Sequence, residues 1–180
     1  MPHQQWQSIA QDFEHNEASN FVLVGRNQEK LDRVAKDLYA RSPQSTTKCI
    51  VIDFNDQNEI TDLAEELGET LTIDKVLIAH GTLPVQADCQ SNISEAHQAL
   101  LINGVSPSLF AEAFAKVLEK QDYGNIILIS SVAGDRGRKS NYVYGSAKGL
   151  VTRYAQGLQH RLHKTNVNLL LVKPVPLPPL

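Results

Sequence analysis

Short apolar runs alternate with stretches of helical period along this chain of 180 residues. Continuous runs rich in β-branched residues are typical of strands buried on both faces, and apolar residues at i, i+3, i+4 and i+7 are typical of helices. The runs predict strands over 21–24, 46–54, 75–79, 125–130 and 167–172, and the helical stripes predict helices starting near Trp6, Leu31, Asp56, Ser94 and Asn141. Strands that alternate with helices indicate βαβ units and a parallel sheet with right-handed crossovers.

Three residues carry more specific predictions about the helices. Asp56 is followed three residues later by Glu59, a pattern typical of a helix N-terminus, and Gly68 is placed where a helix would end. Pro107 lies inside the amphipathic stretch 94–120 and lacks a backbone donor, so it predicts a kink there.

Composition narrows the class of protein. A content of 42% hydrophobic and 21% charged residues is typical of one globular domain over 1–180, and the proline-rich tail 174–180 is incompatible with a regular helix or a central strand. The net charge of −3 gives no basic field for nucleic acid or anionic lipid. No stretch reaches the roughly 18 apolar residues of a membrane span. We therefore expect a cytoplasmic protein whose partners are neither nucleic acid nor membrane.

Cysteines and histidines change this picture little. Cys49 lies in an apolar run and Cys89 in a stretch that we interpret as a polar loop, a usage typical of reduced cytosolic thiols. The six histidines form no metal-ligand spacing, so we expect no metal site.

Candidate chemistry is concentrated between Ser131 and Lys148. Tyr144 and Lys148 are four residues apart, so in a helix they share one face. A lysine cation close to a phenol favours the phenolate, and we therefore expect the pKa of Tyr144 to be lowered towards neutrality. The alternative for Tyr144 is an ordinary half-buried helix tyrosine, and the alternative for Ser131 is a serine that merely caps a loop.

The arrangement Tyr144-x-x-x-Lys148, with Ser131 thirteen residues upstream and directly after a strand, resembles the short-chain dehydrogenase/reductase family. Asn103 and the turn Gly25-Arg26-Asn27 add to the resemblance, which extends from about Ile9 to Pro174. The stretch around Tyr144 is also similar to a bacterial branch that includes keto-sugar reductases of the decaprenylphosphoryl-ribose type. The resemblance implies an α/β fold with a Rossmann-like doubly wound parallel sheet.

The resemblance also implies a role for each of four residues. Tyr144 would be the general acid for carbonyl reduction and the base for alcohol oxidation, and Ser131 would hydrogen-bond the substrate oxygen. Lys148 would lower the pKa of Tyr144 and hold the nicotinamide ribose. Asn103 would position a water that relays protons to Lys148, although an amide that only satisfies a helix kink is the alternative.

The implied cofactor is a nicotinamide dinucleotide. Gly25 stands where an acidic residue would favour NAD, and the cation that follows it, Arg26, can pair with a 2′-phosphate, so NADP(H) is preferred while NAD(H) stays open. A solvated surface charge is the alternative for Arg26, and a turn or capping role is the alternative for Asp53. The implied cofactor-binding residues are Arg26, Asp53, Phe54, Ala79, His80, Gly81, Tyr144, Lys148 and Pro174.

Two family features have no counterpart in this sequence. We expect the sheet to lack the first strand with its Gly-rich turn and the C-terminal strand. The first strand is central in the family, so the strand 21–24 would pair directly with 75–79, or another chain would fill the gap, or the polypeptide is a fragment.

The functional hypothesis is therefore an NAD(P)(H)-dependent oxidoreductase for a small carbonyl or alcohol substrate. The alternative is an inactive truncated remnant or an interaction module without productive cofactor binding. A proline-rich ligand at 176–179 is a weaker hypothesis. The resemblance further implies a homo-oligomer, dimer or tetramer, that packs the helices at 111–120 and 149–163 together.

Overall fold

The computed structural model describes residues 19–174, which divide into two compact units, 19–52 and 53–174. The predicted helix near Trp6 and the segment 176–179 lie outside the described residues. The elements, in chain order, are β1 (Asn20–Gly25), α1 (Gln28–Arg41), β2 (Thr46–Val51), α2 (Gln57–Thr70), β3 (Lys75–Ile78), α3 (Gln86–Ser91), α4 (Ile93–Leu100), a π-helical turn (Leu101–Val105), α5 (Ser106–Gln121), β4 (Gly124–Ile129), a 3-10 turn (Val132–Gly134), α6 (Tyr142–Leu162) and β5 (Val167–Val172).

The first unit is a single β-α-β element. β1 and β2 are parallel, with Asn20 opposite Thr46 and Gly25 opposite Val51. Asn27 caps α1 by accepting a hydrogen bond from the Lys30 amide at 3.0 Å. The turn from β1 into α1 is tight, as its sequence predicts.

The second unit is a three-stranded parallel sheet in the order β3-β4-β5. Helix α2 packs against α5, and α5 and α6 pack against the strands. The fully buried side chains of this unit include Ile60, Leu118, Ile126, Leu128, Val151 and Leu162. The predicted α/β class with parallel strands is confirmed.

Among residues 19–174 the strands form two hydrogen-bonded sheets, β1-β2 and β3-β4-β5. Direct pairing of the strand at 21–24 with the strand at 75–79 was one of three expected outcomes, and it is wrong. The five described strands are fewer than those of a complete doubly wound sheet of this type.

Helix α2 confirms one predicted end and corrects the other. Asp56 accepts hydrogen bonds from the amides of Asn58 and Glu59. Gly68 does not end the helix, which continues to Thr70. A Cβ at position 68 would collide with the side chain of Val117, so the glycine serves the close approach of α2 and α5.

The stretch 94–120 is not one helix kinked at Pro107. It comprises α4, a π-helical turn and α5, which follow one another without a break, and Pro107 lies in the first turn of α5, just after the π-helical turn. The short helix α3 was not predicted. It buries Cys89 against Ala99 and Val143, so the polar-loop interpretation of this cysteine is wrong.

Both described thiols are free. No helix in the region 19–174 combines the length and the apolar character needed to cross a bilayer.

Candidate active site

The end of β4 is fixed to α6 by Ser130. This side chain is 3% exposed, its hydroxyl donates to the Lys148 carbonyl oxygen at 3.0 Å, and it lies 2.9 Å from the Thr152 hydroxyl. Ser131 follows directly and accepts a hydrogen bond from the Ala133 amide at 3.2 Å, which caps the 3-10 turn. Ser130 thus sets the position of the strand end, and of Ser131 after it, relative to α6.

Two glycines bring the 3-10 turn against the same helix. A Cβ at Gly134 would lie 2.6 Å from the Gly149 amide nitrogen, and a Cβ at Gly145 would lie 2.7 Å from the Ala133 carbonyl oxygen. Real Cβ atoms do not approach so closely, so only glycine permits this backbone contact. The contact holds the segment carrying Ser131 beside the first two turns of α6.

Lys148 is buried in the second turn of α6. Only 4% of the residue is exposed, and its Nζ donates to the Ile129 carbonyl oxygen at 3.2 Å. Burial disfavours the ammonium form and lowers the pKa of Lys148 to about 8. The Nζ atom lies 5.9 Å from the centroid of the Tyr144 ring.

Tyr144 is half-buried, and its pKa is shifted in the direction opposite to our expectation. Burial raises the pKa of the phenol, and hydrogen bonding by the Ser131 hydroxyl acts in the other direction. The predicted lowering by Lys148 is wrong for this geometry, because burial of the phenol outweighs the Ser131 hydrogen bond, and Lys148, whose Nζ donates to the Ile129 carbonyl, is not among the groups that shift this pKa. Ser131 is therefore the residue that favours the phenolate here.

Asn103 lies in the π-helical turn and is completely buried. Its Nδ2 donates to the Ala99 carbonyl oxygen at 2.9 Å, and its Oδ1 accepts from the Thr82 amide at 2.8 Å. A Cβ at Gly81 would lie 2.8 Å from that Oδ1 and 3.7 Å from Lys148 Nζ. The structure thus brings Asn103, Gly81 and Lys148 together, as the resemblance implies.

His80 and Phe54 are directed into the second unit. Their rings lie 4.6 Å apart, and Phe110 completes an edge-to-face cluster with centroid distances of 5.0 and 5.1 Å. The Nε2 atom of His80 is 2.9 Å from the Ser106 hydroxyl, and Phe54 is only 7% exposed. These side chains therefore stabilise the core, and Phe54 has only its main chain to offer a ligand.

The remaining predicted residues are placed at strand ends. Asp53 is exposed, and its Oδ1 accepts from the Asn55 amide at 2.9 Å, which is the turn role that we had kept as an alternative. Ala79 follows β3 directly, and Pro174 lies two residues after β5; both are half-buried. Arg26 follows β1 in the first unit.

The sequence analysis did not predict three residues that help to position the candidate site. Ser130 directly precedes the predicted Ser131, and Thr82 directly follows the predicted Gly81, so sequence adjacency was the available signal. Gln86 accepts a hydrogen bond from the Val143 amide in the first turn of α6 at 3.1 Å. No signal in the sequence indicated this contact, because α3 itself was not predicted.

Comparison with known proteins identifies the class. The model of the short chain dehydrogenase family matches residues 7–177, so the chain belongs to this family of oxidoreductases.

Among its relatives, an uncharacterised oxidoreductase of Staphylococcus aureus (strain USA300) is 28% identical over 161 residues, which cover 89% of this chain and 68% of that protein. A metagenomic short-chain oxidoreductase solved in complex with NADP is 22% identical with a TM-score of 0.77, covering 89% of this chain and 71% of that one. An NAD+-bound xylitol dehydrogenase is 19% identical with a TM-score of 0.78, covering 86% of this chain and 60% of that one. The two structural likenesses establish the fold.

Proposed function

We propose that this chain carries the catalytic groups of an NADP(H)-dependent carbonyl reductase or alcohol dehydrogenase, with Tyr144 as the general acid and base. The observation that carries the proposal is the convergence of a hydroxyl, a phenol and a buried amine. Ser131 hydrogen-bonds towards Tyr144, and Lys148 lies one helical turn away with its Nζ 5.9 Å from the ring centroid. Family membership supports the reaction class.

The proposed chemistry divides between the cofactor and the protein. The nicotinamide, when bound, supplies or accepts the hydride. Ser131 would donate a hydrogen bond to the substrate oxygen and Tyr144 would give that oxygen its proton during reduction. A phenol whose pKa is raised by burial holds its proton at neutral pH, which suits the acid role.

The donor set near Lys148 fits a nicotinamide ribose. An ammonium group has three donors, and within the described residues one of them is engaged, by the Ile129 carbonyl. The other two are suited to ribose hydroxyls. Gly81 adjoins this amine and permits a close backbone approach, because a side chain there would meet Asn103.

For the rest of the cofactor, we propose contacts from Asp53, the main chain of Phe54, Ala79, and Pro174. Arg26 supports a preference for NADP(H), since a guanidinium pairs well with a 2′-phosphate. One solved relative is in complex with NADP and another with NAD+, so both remain candidates for the family as a whole.

Tyr144→Phe tests the proposed acid. This variant should bind NADPH with unchanged affinity, measured by cofactor fluorescence, and should lose carbonyl-dependent oxidation of NADPH by at least a hundredfold, as is usual for a general acid. Tyr142→Phe is the matched control, since Tyr142 lies on the same helix and is 44% exposed. Turnover by Tyr144→Phe equal to that of the control would exclude the assigned role.

We also propose that the chain self-associates through α5 and α6. Leu109 and Leu150 on these helices are 37% and 42% exposed. Light scattering that gives only a monomer at micromolar concentration would contradict this proposal.

A further inference from the structure

The loop between Ser131 and Tyr144 carries three cations within four residues, Arg136, Arg138 and Lys139. All three are exposed, in a chain whose net charge is −3. The acidic residue of the loop, Asp135, is engaged elsewhere, because its Oδ1 lies 2.5 Å from Lys173 Nζ. The loop is therefore a local positive patch that lies, along the sequence, between the two proposed catalytic residues.

Both ends of this loop are attached to the catalytic segment. Gly134 packs against the backbone of α6, and the pair between Asp135 and Lys173 holds the loop at the end of β5. At the other end, the Asn141 amide donates to the Arg138 carbonyl oxygen at 3.1 Å, immediately before α6 begins. Gly137, between the two arginines, has open space where a side chain would be, with no atom within 4 Å. The cations therefore project from a short, anchored segment.

The three charges are available to a ligand. Within residues 19–174, none of Arg136, Arg138 and Lys139 takes part in an ion pair. The helix that follows adds to the positive potential, because the N-terminus of α6 carries the positive end of a 21-residue helix dipole. In open α/β sheets, ligands bind outside the carboxyl ends of the strands, which is where this loop leaves β4.

From these observations we infer that the substrate carries an anionic group, a carboxylate or a phosphate, which Arg136, Arg138 and Lys139 bind while the carbonyl lies at Ser131 and Tyr144. The inference rests on the proposed function and specifies its substrate class. Guanidinium groups pair with carboxylate and phosphate in a two-pronged geometry, so two arginines flanking a glycine suit such a group.

The experiment compares anionic and neutral carbonyl probes that differ in one group. The probes are para-formylbenzoate and the longer para-formylcinnamate, each with its methyl ester. NADPH oxidation measures turnover, and saturation-transfer NMR measures probe binding without requiring turnover. The double variant Arg136→Gln/Arg138→Gln removes two charges from the loop. The control Lys120→Gln/Lys164→Gln removes two exposed charges near the C-terminal ends of α5 and α6.

We expect the loop variant to raise KM for at least one anionic probe about tenfold, because a hydrogen bond between charged groups contributes enough to change affinity by that factor. KM for the esters should change less than twofold, kcat should be retained, and the control should resemble the native chain. Added salt should reduce the preference for the anion in the native chain.

Failure of this inference is distinguishable from failure of the proposed function. If an anionic probe binds in a way that depends on the loop but no probe is turned over, the result supports the anion site and contradicts the proposed function. Turnover or binding with equal preference for acid and ester in both chains would overturn the inference alone. Lipid headgroups are another source of anions. Loop-dependent sedimentation with phosphatidylserine vesicles, without a preference among the small probes, would also overturn it.

Discussion

The buried amine of Lys148 gives the sharpest prediction, because its cost to folding is expected to vary with pH. Its pKa is lowered from 10.5 to about 8 by burial. Each pKa unit corresponds to about 1.4 kcal/mol, so the charged group destabilises the folded chain by about 3 kcal/mol at pH 7. Between the two pKa values the unfolded state holds more protons, and stability therefore rises with pH. At pH 9.5 the same linkage calculation gives a destabilisation of the folded chain by Lys148 of about 1.4 kcal/mol.

Lys148→Met removes this titration while keeping an unbranched side chain that is shorter by one atom. The free energy of unfolding of the variant, relative to that of the native chain, should fall by about 2 kcal/mol between pH 7 and pH 9.5. Urea denaturation followed by circular dichroism at both pH values measures the difference. Any constant effect of the lost hydrogen bond to the Ile129 carbonyl cancels in this comparison.

Lys164→Met is the matched control, since Lys164 is exposed just after the same helix. The stability of the control relative to the native chain should be the same at both pH values. If the relative stability of Lys148→Met were equally constant, the assignment of Lys148 as a desolvated amine would be refuted.

Three further predictions concern the same segment. Gly134→Ala should destabilise the chain by about 1–3 kcal/mol, because its Cβ would press on the backbone of α6. The control Gly137→Ala places its Cβ in open space and should change the free energy of unfolding by less than about 0.5 kcal/mol. Equal denaturation midpoints for the two variants would contradict this packing. Gln86→Ala should lower the free energy of unfolding by about 1 kcal/mol, because it leaves an amide in the first turn of α6 without its acceptor. Gln90→Ala, at an exposed position, should be neutral in the same assay. Equal melting temperatures of the two variants would argue against the contact. Burial raises the pKa of Tyr144, so its phenolate should form only above the ordinary tyrosine range near pH 10. The difference in ultraviolet titration between the native and Tyr144→Phe chains measures this phenolate. Phenolate at neutral pH would refute the direction of the shift.

Elements with clear boundaries in the sequence were predicted well. The strand at 167–172 has the predicted ends, because a mostly apolar run, interrupted only by Asn168, is bounded by the polar residues Asn166 and Lys173. Asp56 was recognised as a cap because capping depends on neighbouring residues alone. Such local signals survive in any tertiary context.

Features that depend on distant contacts were not predicted. Gly68 reads locally as a helix end, but its role is set by Val117 on another helix. The irregular turn before Pro107 forms where the Ser106 amide reaches the Leu101 carbonyl oxygen, five residues back. The proline alone indicates a disturbance without indicating its position.

The same distinction applies to the candidate site. The closeness of Tyr144 and Lys148 follows from helical geometry, the resemblance implied that Ser131 joins them, and the structure brings the three residues together. The sign of the pKa shift of Tyr144 could not be obtained from spacing, because it depends on how deeply the phenol is buried and on which acceptor the amine selects. The burial of the phenol and the hydrogen bond from Lys148 Nζ to the Ile129 carbonyl both come from tertiary packing, which the separation of two residues does not encode.

These two pKa directions bear on the direction of the proposed reaction. Burial raises the pKa of Tyr144 and lowers that of Lys148 to about 8, so both shifts favour the neutral groups. A neutral phenol can donate a proton but cannot accept one, and reduction of a carbonyl requires the donor form. Oxidation of an alcohol requires the phenolate, which in this geometry is assisted by the Ser131 hydroxyl alone. On the proposed function, Tyr144 therefore begins carbonyl reduction as the proton donor, and its role as the base in oxidation requires additional positive charge close to the phenol.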